Sequence, residues 1–356
     1  MVSRFWSRVV QEITPYESGE QPQNQQLIKL NTNENPYPPS RLVLNAMRQA
    51  LTDNLRLYPD PNCTKLKEAA GQYFRLPTNH IFVGNGSDEI LAFCYRAFFN
   101  PGEKILFPDI TYSFYEVYAN MFEISYNTII LADQFEVPVE EFFRENRGII
   151  LANPNAPTGK LLAIESIERI LVNNPDSVVI IDEAYIDFGG TSSTQLISSY
   201  QNLLVVRTFS KSRSLAGLRV GLALGHPDLI EALDRVKNCF NSYTIDRVAL
   251  AGAEQSLRDS KSFQANVNRI IHTRSIITNK LRLLGFNVID SKANFIFITH
   301  SGMSAVEILD KLKLQNIYVR HFNKPKIDNY LRVSIGTDQE MEVFYQAIKE
   351  IVHRRA

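Results

Sequence analysis

The residues best suited to covalent chemistry lie in Thr208-Phe209-Ser210-Lys211-Ser212-Arg213-Ser214-Leu215-Ala216-Gly217-Leu218-Arg219. The apolar run Leu203-Leu204-Val205-Val206 leads into them and reads as a buried parallel strand. A lysine just past such a strand sits where open α/β sheets place their ligands. Partial desolvation there lowers an amine's proton affinity and makes Lys211 a candidate Schiff-base nucleophile. A second apolar run, Val178-Val179-Ile180-Ile181, ends at Asp182-Glu183-Ala184-Tyr185. A carboxylate at the buried end of a sheet is costly unless a cation or hydrogen bonds compensate it. Taken singly, Lys211 reads equally well as a surface-loop lysine and Asp182 as an ordinary strand-end acid.

One chemistry uses Lys211, Asp182 and Tyr185 together. A pyridine ring has its nitrogen protonated against Asp182, its phenolate oxygen bonded by Tyr185 and its aldehyde joined to Lys211, which is the arrangement pyridoxal phosphate requires. Its phosphate needs a cradle. Gly84-Asn85-Gly86-Ser87 opens a helix whose free N–H groups and positive dipole end can hold an anion, and Ser210 and Arg219 add a hydroxyl and a guanidinium. Asp88 and Glu89 fall in the first turn of that helix and repel phosphate unless they point away. Arg320 and Arg332 each sit among apolar strand residues, where an unpaired guanidinium is expensive. They read either as structural ion pairs or as anion binders.

The elements that must position these groups alternate. Short strands are expected at residues 81–83, 104–107, 127–131, 148–152, 178–181, 203–206 and 220–224, with helices between them. Continuous apolar strands in β–α alternation predict an α/β fold with a mostly parallel sheet covered by helices on both faces. The expected large domain is 40–245. Residues 1–39 and 246–356 are expected to form an N-terminal arm and a smaller α+β domain, with a break in the long helical pattern near Asp259-Ser260. Leu30-Asn31-Thr32-Asn33-Glu34-Asn35-Pro36-Tyr37-Pro38-Pro39 reads as a rigid linker, because its prolines fix φ and remove donors.

Composition closes off several function classes. Lys+Arg 38 balance Asp+Glu 38, which removes the electrostatic case for nucleic acid or an anionic membrane. Cys63, Cys94 and Cys239 form no CxxC pair, and the six histidines form no HxH or HExxH group, so no metal is implied. The N-terminus carries Arg4 and Arg8 without a following apolar segment, and no apolar stretch approaches the ~20 residues that span a bilayer. The expected location is the cytoplasm.

The ordered set VGNGSDE, PDITYSFY, NPNAPTG, DEAYIDF, TFSKSRSLAGLRVG and LRVSIGT resembles the fold-type I pyridoxal-phosphate aminotransferases over essentially the whole chain. ITPYESG, KLNTNENPYPPS and YPDPN narrow the resemblance to the histidinol-phosphate aminotransferases among them. The resemblance implies Lys211 as the Schiff-base lysine and proton carrier, Asp182 at the pyridinium nitrogen and Tyr185 at the O3′ oxygen. It implies Gly86, Ser87, Asp88, Ser210 and Arg219 around the phosphate, Tyr112 over the ring, and Tyr58 reaching in from the other subunit of a homodimer. Arg332 and Arg320, with Tyr16, are implied to bind substrate anions: the phosphate of histidinol phosphate and the carboxylate of glutamate or 2-oxoglutarate. The implied reaction is a transamination in histidine biosynthesis. An aromatic amino acid aminotransferase, a threonine-phosphate decarboxylase and a non-enzymatic binding module remain as alternatives. One departure stands out: where the family's NPTG turn has Asn, this chain has Ala156, so Asn155 is either a substitute donor or Tyr185 bonds O3′ alone.

Overall fold

A computed structural model describes residues 3–16, 19–21 and 27–353. The first strand, β1 (Ile28–Leu30), belongs to the smaller of two sheets. The larger sheet takes the next seven: β2 (Ile81–Gly84), β3 (Lys104–Pro108), β4 (Ser125–Ile129), β5 (Gly148–Ala152), β6 (Val178–Asp182), β7 (Leu203–Thr208) and β8 (Gly221–Gly225). The smaller sheet is completed by β9 (Phe286–Ile289), β10 (Phe295–His300), β11 (Ile317–His321) and β12 (Leu331–Ser334).

The large sheet runs β2-β8-β7-β6-β5-β3-β4. Strands β4, β3, β5, β6 and β7 are parallel in succession, and β8 lies antiparallel between β7 and β2. Apart from Asp182, Arg207 and Thr208 at the C-terminal ends of β6 and β7, its central strands are built of apolar residues and glycine, because both faces are covered. Val179, Ile181, Leu203 and Val205 enter one core, beneath helices Arg41–Ala50, Thr64–Phe74 and Ile164–Val172. The alternate residues Ile180, Leu204 and Val206 enter the other, beneath Gly86–Phe98, Phe114–Met121 and Pro227–Phe240. The two-residue period of a strand thus divides one apolar run between two layers.

The reversed strand β8 has a consequence for the site. Its first residue, Gly221, pairs with Gly84 on one side and Thr208 on the other. The start of β8 therefore lies among the C-terminal ends of its neighbours, and Arg219 is delivered to the edge that carries Lys211.

The small sheet runs β1-β11-β12-β10-β9 and packs under helices Ser260–Leu283, Ala305–Lys313 and Asp338–His353. The expected break is present: Asp259 closes Arg247–Arg258 at φ −91°, ψ 66°, and its side chain accepts from Ser262 N–H to cap the next helix. Helix Arg247–Arg258 packs against the large sheet's core, which Ala249, Ala253 and Leu257 join. Two expectations move. Strand β4 begins two residues earlier than its apolar content implies, since it is an edge strand with most side chains exposed. The supposed linker begins in a strand, β1, which pairs in parallel with β11, a contact almost the whole chain away. Among the described residues no helix is long and apolar enough to cross a membrane.

Behind the Lys211 loop lies a buried ion network. Arg207, on β7, donates to Glu183 at 3.1 Å and to Asp187, and Asp187 accepts from the Ser212 hydroxyl at 2.5 Å. Removing the cation strands two buried carboxylates. Arg207→Leu is expected to cost about 3–5 kcal/mol in a denaturant titration; a loss under about 1 kcal/mol would contradict the network's role.

Candidate active site

Asp182 ends β6 and is 5% exposed. Its Oδ2 accepts from the Tyr115 hydroxyl at 3.0 Å and its Oδ1 from Ala184 N–H at 3.2 Å. Among the described residues it has no ion-pair partner. Burial pushes its carboxyl up to about 6, the nearby Asp88 and Glu183 push the same way, and the two hydrogen bonds only partly oppose this. The site is thus short of a cation at this point. Tyr115, itself fully buried with its hydroxyl held well above the usual phenol range by burial and by Asp182, was not singled out from the sequence.

Lys211 follows β7, the strand next to β6. Its Nζ donates to Thr32 O at 3.2 Å and stands 5.9 Å from the centre of the Tyr185 ring. The loop around it is held by Asn35, whose Nδ2 donates to Lys211 O and Ser212 O, both at 3.1 Å. Asn33 Nδ2 donates to the Tyr185 hydroxyl at 3.0 Å. Thr32, Asn33 and Asn35 all come from the stretch read as a linker, so site residues were missed there. The concentration of Asn before Pro36 was the available signal, since such side chains hydrogen-bond backbone they lie against.

The anion cradle forms where three strand ends meet. Asn85 precedes helix Gly86–Phe98 without capping it through its side chain, leaving first-turn N–H groups available. Gly86 has φ +76°, and a Cβ there would stand 2.7 Å from Arg219 Nη2. A Cβ on Gly221 would stand 2.7 Å from Gly86 C and 2.8 Å from Ser87 N, so this strand must be bare to approach the turn. The two acids in the first turn are both hydrogen-bonded, one of them to the cradle's own guanidinium. Asp88 accepts from Arg219 Nη2 and the Tyr112 hydroxyl, both at 2.9 Å, and Glu89 accepts from Asn85 N–H at 2.7 Å. Arg219 also reaches Ser210 Oγ at 3.4 Å. Gly86, Ser87, Asp88, Ser210, Arg219 and Tyr112 are therefore joined in one constellation.

The Asn155 expectation needs correction. A phenolate oxygen asks for a donor, and both amide hydrogens of Asn155 are spent inside its own turn, on Ile110 O at 2.9 Å and Thr158 Oγ1 at 3.1 Å. Its Oδ1 accepts from Thr111. Ala156 packs its methyl group with Ala293 and Phe295 against Tyr185. Tyr58 also stands apart within its own chain. The residue is 75% exposed, its ring is stacked on Tyr243 at 4.4 Å, and Arg247 donates to its carbonyl at 2.6 Å.

Arg320 and Arg332 face each other across β11 and β12. Like charges directly opposite are destabilising unless something negative sits between them. Arg332 donates to Asn31 O at 2.9 Å, its Nε is buried without a partner, and no carboxylate among the described residues pairs with it. Burial depresses its proton affinity, and Arg320 adds to the effect. Tyr16 stacks on Phe114 at 4.3 Å and meets Tyr112 edge-on at 6.3 Å, roofing the same space. No group of three or more His, Cys, Asp or Glu side chains among the described residues could hold a metal ion.

A cation-deficient carboxylate, an accessible lysine, a phenol and two separate anion seats suit a flat cationic heteroaromatic phosphate beside an anionic substrate. The family model described as aminotransferase class I and II matches residues 25–348. The histidinol-phosphate aminotransferase of Clostridium beijerinckii is 53% identical over 351 residues, 99% of this chain and 98% of its own. The crystal structure of the Sinorhizobium meliloti histidinol-phosphate aminotransferase in complex with pyridoxal-5'-phosphate matches with a TM-score of 0.90 at 24% identity, covering 100% of this chain and 99% of that one. That of the Clostridium acetobutylicum histidinol-phosphate aminotransferase matches at 0.85 and 26%, covering 92% and 100%.

The buried carboxylate makes stability depend on pH. Its folded value, about 6, exceeds the ordinary 3.8, so the folded chain holds this proton more tightly than the unfolded one. That stabilising contribution is present below pH 4 and lost as pH rises through 6, a swing on the order of 3 kcal/mol. Cofactor-free Asp182→Asn is expected to melt higher than the wild type at pH 8, with the difference closing toward pH 4; an equal difference at both would contradict it.

Proposed function

The chain belongs to the aminotransferase class I and II family, among its histidinol-phosphate aminotransferases, and from that premise we propose that it exchanges an amino group between L-histidinol phosphate and 2-oxoglutarate. The products are imidazole-acetol phosphate and L-glutamate, a step of histidine biosynthesis. The observation that carries this reading is the cation-deficient Asp182 at one strand end with Lys211 after the next.

The cofactor is pyridoxal phosphate, which when bound supplies an electron-withdrawing ring for the electron pair left at a substrate carbon that loses its proton. Lys211 would hold it covalently and Asp182 would face its ring nitrogen. Tyr185 would bond its phenolic oxygen and Tyr112 would cover it. Gly86, Ser87, Ser210 and Arg219 would hold its phosphate, with Asp88 fixing Arg219 in place.

The chain's own groups then have distinct tasks. Lys211, as a free amine, would carry the proton from the substrate Cα to the cofactor carbon that receives the amino group within one half-reaction, and would carry it the opposite way in the other. Arg332 and Arg320 hold a carboxylate in one half-reaction and a phosphate ester in the other; their planar donor forks match both. Tyr16, Phe114 and Tyr112 keep water from the exposed carbon.

A second copy of the chain completes the phosphate seat in this reading. Leu51, Leu55 and Leu57 are exposed beside Tyr58, an apolar stretch that a partner would cover. Mixed dimers of Lys211→Ala and Tyr58→Ala chains are expected to recover activity above either parent; no recovery would place Tyr58 outside the partner's site. We place the enzyme in the cytoplasm, where the buried thiols of Cys63 and Cys94 remain reduced, and cell fractionation checks this.

The direct test is a half-reaction screen. Protein loaded with the amino group is mixed with imidazole-acetol phosphate, phenylpyruvate or 2-oxoglutarate, and release of each amine product is followed. The first and third acceptors should react fastest, and Lys211→Ala should react with none. Arg332→Leu should lower kcat/KM for both anions by about ten- to hundredfold. Preferred reaction with phenylpyruvate would make it an aromatic aminotransferase, and CO2 release without a 2-oxo acid would make it a decarboxylase.

A further inference from the structure

Asn33 belongs to neither the lysine loop nor the anion arginines, yet it is 1% exposed and holds a left-handed φ of 57°, a conformation Asn tolerates better than most residues. Every polar group it carries is engaged. Its N–H donates to Ser334 Oγ at 2.9 Å, and its C=O accepts from Asn294 Nδ2 at 2.9 Å. Its side-chain Oδ1 accepts from Ser334 Oγ at 2.9 Å, and its Nδ2 donates to the Tyr185 hydroxyl at 3.0 Å.

Ser334 decides which way the amide faces. Its oxygen already accepts from the Asn33 backbone, so its single proton is free for Asn33 Oδ1. That fixes Oδ1 on the serine side and turns the NH2 group toward Tyr185. The Tyr185 oxygen is thereby an acceptor from Asn33, and its own proton remains available to another acceptor. Nearby donors are lacking where the family carries one: Ala156 presents only a methyl group, and both amide hydrogens of Asn155 are spent.

We propose that Asn33 is a positioning residue that aims the Tyr185 proton at the phenolic oxygen of the bound cofactor, in place of the donor missing at Ala156. The inference rests on the reading of the site as a pyridoxal-phosphate centre. It also links the two halves of the reaction site, because Ser334 lies two residues from Arg332 on β12.

A cofactor analogue without the phenolic oxygen isolates the claim. Affinities of the cofactor-free protein for pyridoxal phosphate and for its 3-deoxy analogue are measured for the wild type, Asn33→Asp, Ser334→Ala and Tyr185→Phe. Asn33→Asp keeps the shape but cannot donate, and it draws the Tyr185 proton toward itself. It should weaken pyridoxal phosphate by about tenfold and leave the 3-deoxy analogue unchanged. It should add nothing in the Tyr185→Phe background. Ser334→Ala, which releases the amide to turn, should give a smaller loss of the same pattern. Equal losses for both cofactors, or an undiminished loss without the Tyr185 hydroxyl, would make Asn33 merely structural and overturn the inference. If the wild type bound neither cofactor, the reading of the site itself would fall, which is a different result.

Discussion

The architecture depends on one unfavourable group, the Asp182 carboxylate. A charge placed in a protein interior costs on the order of several kcal/mol unless a counter-charge meets it. Tyr115 and the Ala184 N–H give two hydrogen bonds, and the carboxyl still stands near 6. Such a group persists in a fold when a bound cation compensates it. Around that need the parallel sheet makes sense: β6 carries the acid into a region covered on both faces, and β7 brings Lys211 alongside.

The rest of the site supplies positive charge in two places. At one end, the first turn of helix Gly86–Phe98 and Arg219 form a seat in which Asp88 pairs with Arg219 itself and Glu89 accepts from the Asn85 N–H. At the other, Arg320 and Arg332 are held opposite each other by antiparallel register, and an anion seated between them would offset that like-charge pairing. The second lobe exists in this scheme to deliver that pair. The arm from β1 to Tyr37 ties it to the lysine loop through Thr32 and Asn35, and to Tyr185 through Asn33.

Much of this was legible in the sequence because the signals are local. Four consecutive apolar residues before Asp182, and four shortly before Lys211, announce buried strands whose ends face a ligand. Strand β5 falls where its apolar run puts it. What was not legible depends on long-range packing. Three residues of β1 carry no pattern of their own and become a strand only beside β11. The asparagines that follow look like turn formers until the chain folds them against Lys211 and Tyr185. Helix Arg247–Arg258 is amphipathic in either lobe, and nothing in its spacing says that its small residues meet the large core. For Asn155 the residue type suggested a donor, but the count of its amide hydrogens, visible only in three dimensions, assigns it to the turn.

The central claim is that the charge missing at Asp182 is the protonated ring nitrogen of pyridoxal phosphate. Nitrogen NMR of the protein loaded with cofactor labelled with 15N at the ring reads this directly. The claim predicts a pyridinium chemical shift at neutral pH that persists well above the pH at which the free cofactor's ring nitrogen loses its proton, and that Asp182→Ala abolishes. A ring nitrogen that is unprotonated at neutral pH in the wild type would contradict it.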